Sequence, residues 1–148
     1  MAASQVKWDT APTSRGNILT TELNSLANDA YSAVGPAFDN TSNLDQFAWV
    51  EVNLASLNPT TGAFITLFLV QSLDGTNYED EPSSTLPGYH AIRAVIPIKT
   101  GSATKRAISD MFRIPPGHFK PVLRNDCNVA FGASGNTVEL FTANDENQ

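Results

Sequence analysis

The hydrophobic period of the chain changes several times along its length, and the changes predict its elements. Around residue 50 apolar and mixed positions alternate. Ala48, Val50, Val52 and Leu54 fall on one side and Phe47, Trp49, Glu51 and Asn53 on the other, the period of two that a strand imposes on its side chains. Residues 63–72 are apolar on both sides, with Ile65, Leu67 and Leu69 opposite Phe64, Phe68 and Val70, as in a strand covered on both faces. Asn58-Pro59 and Thr61-Gly62 lie before this run and Asp74-Gly75 after it. These are turn dipeptides, so the two strands read as an antiparallel hairpin. A third strand is predicted over 89–99, where Ile92, Ala94, Ile96 and Ile98 share a face and Pro97 points to a sheet edge or a bulge. Others follow over 107–113 and over 119–125, the latter delivered by the turn Ile114-Pro115-Pro116-Gly117. Residues 128–131 and 137–142, divided by the turn Ala133-Ser134-Gly135-Asn136, close the series.

Two stretches depart from this pattern. From Thr20 onward Leu23, Leu26, Ala27, Ala30 and Tyr31 recur at helical spacing, Thr20 or Thr21 can cap, and Gly35-Pro36 ends the segment. One short helix or helical turn is therefore expected, although Asn and Ser are weak helix formers. Residues 1–19 show neither period and contain Pro12 and Gly16, which predicts an extended N-terminal arm. Its Trp8 and the pair Ile18 and Leu19 must fold back on the core or dock elsewhere. Short strands with Gly, Pro and Asn turns between them indicate an all-β protein, an antiparallel β-sandwich or jelly-roll-like fold. The domain reading is an arm over 1–19, a single sandwich over 20–142 and a frayed acidic tail over 143–148, with no internal repeat.

Composition narrows the partners. Lys and Arg number 9 against 15 Asp and Glu, for a net charge of -6, so phosphate neutralisation cannot drive binding and nucleic acid is not expected as a partner. Charged residues make up 16% of the chain, below the globular norm of about 25%, while Ser, Thr, Asn and Gln together number 43. Such a surface suits protein contact. The longest near-apolar run, 63–70, falls far short of the roughly 18 residues of a membrane helix, and the N-terminus lacks the apolar stretch of a secretory leader. No membrane partner and synthesis in a cytosol are expected. Cys127 has no second cysteine to pair with and reads as a small buried hydrophobe.

Candidate chemistry is sparse. Asp74, Asn77, Glu79, Asp80 and Glu81 could offer oxygens to a hard cation, but their spacing lacks the positions of a calcium loop, and the cluster reads as a solvated loop tip. An alternative ligand loop takes Asp74, Asn77, Tyr78 and Asp80 together, with Tyr78 or Trp49 stacking on a sugar ring. His90 and His118 have no third ligand at metal spacing. No nucleophile motif of the G-x-S-x-G type and no phosphate-cradling glycine loop occurs, and Lys99, Lys105 and Arg106 are expected to pair with carboxylates. The chain is read as a non-enzyme with no metal and no cofactor. Phe47, Trp49, Phe64 and Phe68 are core by default, but an exposed Phe47 and Trp49 face would be an assembly surface.

Several segments in order carry a resemblance. They are Val6-Lys7-Trp8-Asp9-Thr10, then Leu19-Thr20-Thr21-Glu22-Leu23-Asn24-Ser25-Leu26-Ala27, then Ser72-Leu73-Asp74-Gly75-Thr76-Asn77-Tyr78. Ile114-Pro115-Pro116-Gly117-His118-Phe119-Lys120-Pro121-Val122-Leu123-Arg124-Asn125 and Gly135-Asn136-Thr137-Val138 complete the set. Together, over about residues 6–141, the chain resembles a family of small virion structural proteins of tailed bacteriophages. The resemblance implies a β-sandwich on the phage particle, a cement or decoration protein on the capsid exterior. It further implies contact with the major capsid protein, self-association as a homo-oligomer, with a trimer expected, and synthesis in the host bacterial cytoplasm. It carries over no catalytic residues. The expected partner-binding residues are Trp8, Ile18, Leu19, Phe47 and Trp49, with the arm lying across neighbouring subunits. Two other readings remain open: a receptor- or glycan-binding module on a tail or head fibre, and a tail-tube or connector component.

Overall fold

The computed structural model describes residues 6–79 and 87–147. Among these residues the strands are β1 (Val6–Trp8), β2 (Thr13–Leu19), β3 (Phe38–Asp39), β4 (Phe47–Leu57), β5 (Phe64–Ser72) and β6 (Ile92–Pro97). They continue with β7 (Ala103–Ile108), β8 (Phe112–Arg113), β9 (His118–Asp126), β10 (Thr137–Ala143) and β11 (Asp145–Asn147). The alternation around residue 50 does its expected work, turning Ala48, Val50, Val52 and Leu54 fully inward along β4. On β5 it is Ile65, Leu67 and Leu69 that enter the same core, where Leu19, Leu23, Ile96, Phe119, Leu123, Val138 and Leu140 meet them.

One sheet runs β2-β10-β4-β7, with β8 also on β4, and the other runs β3-β9-β5-β6. Every pairing is antiparallel. The partners β5–β6, β4–β7, β3–β9 and β2–β10 nest around the β5 to β6 connection, and rolling that nested ribbon sets β10 beside β4 and β9 beside β5. This is the strand order of a jelly roll, in which two Greek keys close a sandwich. Pro97 ends β6, an edge strand, where a missing N–H costs no ladder bond.

The hairpin expected from β4 and β5 does not form: the two strands lie in different sheets. Each carries an apolar row, and the rows bury one another by stacking face to face, so residues 58–63 carry the chain between layers. The arm expected over residues 1–19 is also corrected. Its second half is β2, an edge strand on β10, because Ile18 and Leu19 enter the core and are 4% and 1% exposed. The sandwich therefore starts at Thr13. The predicted helix reduces to a single 3₁₀ turn, Thr21–Leu23. Ser25 and Asp29 have positive φ, 54° and 61°, and the Leu26 and Ala27 carbonyls accept from Asn125 Nδ2 at 3.0 and 3.2 Å, so tertiary bonds replace the helical ladder. Residues 128–131 form no strand, with Asn128 at φ 61°. At the tail, Asp145–Asn147 pairs with Val6–Trp8 in a separate two-stranded ribbon.

Candidate functional site

The outward row of β4 presents Phe47, Trp49 and Glu51, and β10 sets Phe141 directly across from Trp49. β1 lays Trp8 over this row. The Trp8 and Phe47 rings meet edge to face with centroids 5.3 Å apart, and the Trp8 and Trp49 rings are 6.0 Å apart at 54°, separations at which ring quadrupoles attract. The Arg113 guanidinium sits 5.2 Å from the Phe47 centroid on another side. Phe47 is thereby nearly covered at 9% exposure, whereas Trp8 stays 51% exposed even in this seat.

Two concavities run together here. One, of about 360 Å³, is lined by Trp8, Asp9, Thr10, Ala11, Pro12 and Trp49. The other, of about 220 Å³, is lined by Pro12, Trp49, Glu51, Ile108 and Phe141. Sharing Pro12 and Trp49, they form one mostly apolar surface across β1, β2, β10, β4 and β7, with Met111 exposed just beyond the end of β7. Polar pairs stand at its margin. Glu51 accepts from Arg106 at 2.6 Å and from Asn53 at 3.0 Å, which holds its carboxyl below the ordinary range, and Ser14 donates to Glu139.

Of the five residues expected to meet a partner, the structure brings Trp8, Phe47 and Trp49 together and separates Ile18 and Leu19, which are core. Ile18 and Leu19 are the first apolar pair to reach the sheet, and burying them anchors β2. Pro12, Ile108, Met111 and Phe141 escaped the sequence reading. Phe141 was findable, since it alternates with the buried Val138 and Leu140. Ile108 was not, because its outward position depends on the register that β7 takes on β4.

The alternative ligand loop is satisfied by its own atoms. Asp74 Oδ1 accepts from Ser72 Oγ at 3.0 Å and from the Thr76 and Asn77 amides at 2.8 Å, and Oδ2 accepts from Asn77 Nδ2 at 2.7 Å. These bonds, the Asn77 amide and side chain foremost, hold the Asp74 carboxyl far below the ordinary range. Gly75 at φ +75° closes the turn, and a Cβ there would come within 2.8 Å of His118. Tyr78 packs with the Phe68 cluster and lies under the Lys120 ammonium, 4.1 Å from its ring centroid. Asp80 lies outside the described residues. Glu79 receives the Gln71 amide at 2.7 Å and contacts His90; burial pushes its carboxyl up, but these partners prevail and hold it below the usual range.

His90 and His118 are apart, paired with Glu79 and Asp39 respectively, and among the described residues no three His, Cys, Asp or Glu groups converge at metal distance. Cys127 is buried, and that burial pushes its thiol up to about 12. A further concavity, about 600 Å³ around the β6 to β7 connection, carries Lys99, Lys105 and Arg106. Two of those cations are already committed, Lys105 to the Thr100 and Gly101 carbonyls and Arg106 to Glu51. No family model, curated protein or solved structure matches this chain.

Proposed function

We propose that the chain is a non-enzymatic virion structural protein of a tailed bacteriophage, a cement protein that binds the outer shell of the major capsid protein and stabilises the head. The observation that carries this reading is the aromatic surface formed by Trp8, Trp49 and Phe141 with Pro12 and Ile108. A half-exposed tryptophan seated beside a partly exposed one on the sheet is the kind of side chain from which protein interfaces draw most of their binding energy. A weakly charged rim suits the same use. Jelly rolls recur among viral capsid and lectin domains, and the resemblance of the ordered segments supports the phage reading. Cement binding gains strength by engaging many sites at once, so each contact can be modest.

Co-sedimentation tests it. Purified protein should pellet with expanded, undecorated capsids at a fixed ratio near one copy per capsid subunit, and Trp49→Ala should abolish pelleting while leaving the fold intact. Binding to isolated tails alone would favour the connector reading. One observation favours a glycan-binding alternative: two indoles border the 360 Å³ cleft beside Asp9 and Thr10. Retention on a glycan array that vanishes in Trp8→Ala, with no capsid pelleting, would select it.

A further inference from the structure

We propose that β1 is exchanged between copies of this chain, so that Trp8 of one molecule fills the Phe47 and Trp49 seat of its neighbour and residues 6–8 pair with the neighbour's β11. The inference rests on the reading of the protein as an assembly component, and it names the occupant of the aromatic seat. In the folded chain that occupant is already visible: Trp8, on a short tether.

Three ties hold β1. It pairs with β11 at Val6–Asn147, Lys7–Glu146 and Trp8–Asp145; Trp8 packs on Phe47 and Trp49; and the Asp9 amide donates to the Asn144 carbonyl at 3.0 Å. A Lys7 to Glu146 ion pair at 3.7 Å is exposed on both sides and adds little. All of these ties are made by residues 6–9, and none involves β2. The strand can therefore leave with these contacts and remake them on an identical molecule, the defining condition of a domain swap.

The ribbon is separate from both sandwich sheets, and an isolated two-stranded ribbon is marginal in water. Its place thus depends on the indole seat. Because exchange conserves that seat, the balance is set by whatever new surface two copies bury on meeting. Residues 9–12 join β1 to β2; with Asp9 tied to Asn144, the remaining three residues span at most about 11 Å. Pro12, with φ fixed near −65° and no N–H to tie it down, begins the turn into the sheet. A tether this short requires exchanging copies to abut along the face it crosses. That contact would cover Pro12, Ile108, the partly exposed Phe141 and the open half of Trp8, apolar groups of this face that the single chain leaves wholly or partly in solvent.

Disulfide trapping with the full chain decides it, without capsids. A Lys7→Cys chain and a Glu146→Cys chain, carrying tags of different size, are co-expressed and oxidised. Directly opposed antiparallel residues lie within disulfide reach, and the buried Cys127 thiol does not compete. Exchange predicts a covalent heterodimer well above that of a Lys7→Cys and Ser102→Cys control pair. It also predicts covalent oligomers from a single chain bearing both Lys7→Cys and Glu146→Cys. Fast-migrating, internally bridged monomer from the double variant, with no heterodimer above control from the mixture, overturns the proposal. If the single variants fail to fold, the thermal melt shows it, and the double variant, oxidised during refolding, gives the answer in their place. Capsid pelleting of the wild-type chain is unaffected by either result, so failure of the exchange and failure of the cement reading are separately visible.

Discussion

The two outer faces of the sandwich are built from similar side chains and finished differently. On the β3-β9-β5-β6 sheet, Phe68, Val70 and Val122 point outward, yet with Ala91 they are buried, because Tyr31, Val34, Tyr78 and Ile92 pack over them. The connections that supply this cover are held by specific bonds. Ser32 and Gly35 donate to the Leu123 and Pro121 carbonyls, and Glu79 bridges Gln71 and His90. On the β2-β10-β4-β7 sheet, Trp49 and Phe141 point outward in the same way, and only the short β1 comes back across them. Whether an outward aromatic ends as core or as surface is thus decided by which loops return over it, not by the strand that bears it. The covered face contributes to folding, and the open face leaves Trp49 and Phe141 partly in solvent.

The sharpest test compares one residue from each face. Phe68→Ala should cost about 3–5 kcal/mol of folding stability, the usual loss for a buried aromatic, while Trp49→Ala should cost about 1 kcal/mol or less in the isolated chain. Urea unfolding of both variants measures this, and equal losses would erase the distinction between the faces. Next in size is Arg15→Ala. Arg15 donates to Oδ1 of the buried Asp45 carboxylate at 2.9 Å, stands 2.8 Å from Oδ2 as an ion pair, and also donates to Thr142 at 2.8 Å. Removing it strands a buried charge at the end of the open sheet, for about 3 kcal/mol by the same measurement.

Acid should act on the covered face. The Glu79 carboxyl is held below its ordinary value of 4.5 in the folded chain, so its contribution is present above that pH and is lost as the pH falls through the lower folded value. Protection of the Gln71 amide, whose N–H Glu79 accepts, should therefore fall as the pH drops below 4.5. Glu79→Gln should remove that pH dependence. The smallest effect belongs to Ile108→Ser. At 56% exposure this change should move stability by less than about 0.5 kcal/mol and still weaken self-association in sedimentation velocity.

Much of this was legible in the sequence. The pattern placed β5, β9 and β10 within a residue and the start of β4 at Phe47, though β4 runs three residues past Leu54, and Pro97 marked an edge. What was hidden is long-range. Residues 58–63 have the composition of a hairpin turn, and only the need to bury two apolar rows against each other makes them a crossing between sheets. Leu23 and Leu26 are buried as a helical pattern would require, but Asn125, a hundred residues on, takes the carbonyls a helix would use. The candidate surface was half legible. Phe47 and Trp49 were recognised as a pair whose meaning depended on exposure, and exposure depends on where Trp8 and the loops go. Asp74 and Asn77 looked available because their composition is that of a ligand, and the turn consumes them in its own hydrogen bonds.

The meeting of β1 and β11 also sets how the molecule bears load. Residues 6 and 147 pair at the open end of an antiparallel ribbon, so tension between the two ends peels the ribbon like a zipper, one residue pair at a time, at low force. Only after Trp8 leaves its seat does the pull reach β2 and β10, where Leu19 and Val138 are locked in the core. The ribbon is in effect a mechanical fuse: a tug on either end is first absorbed by a short extension that reverses on release, before the sandwich is strained.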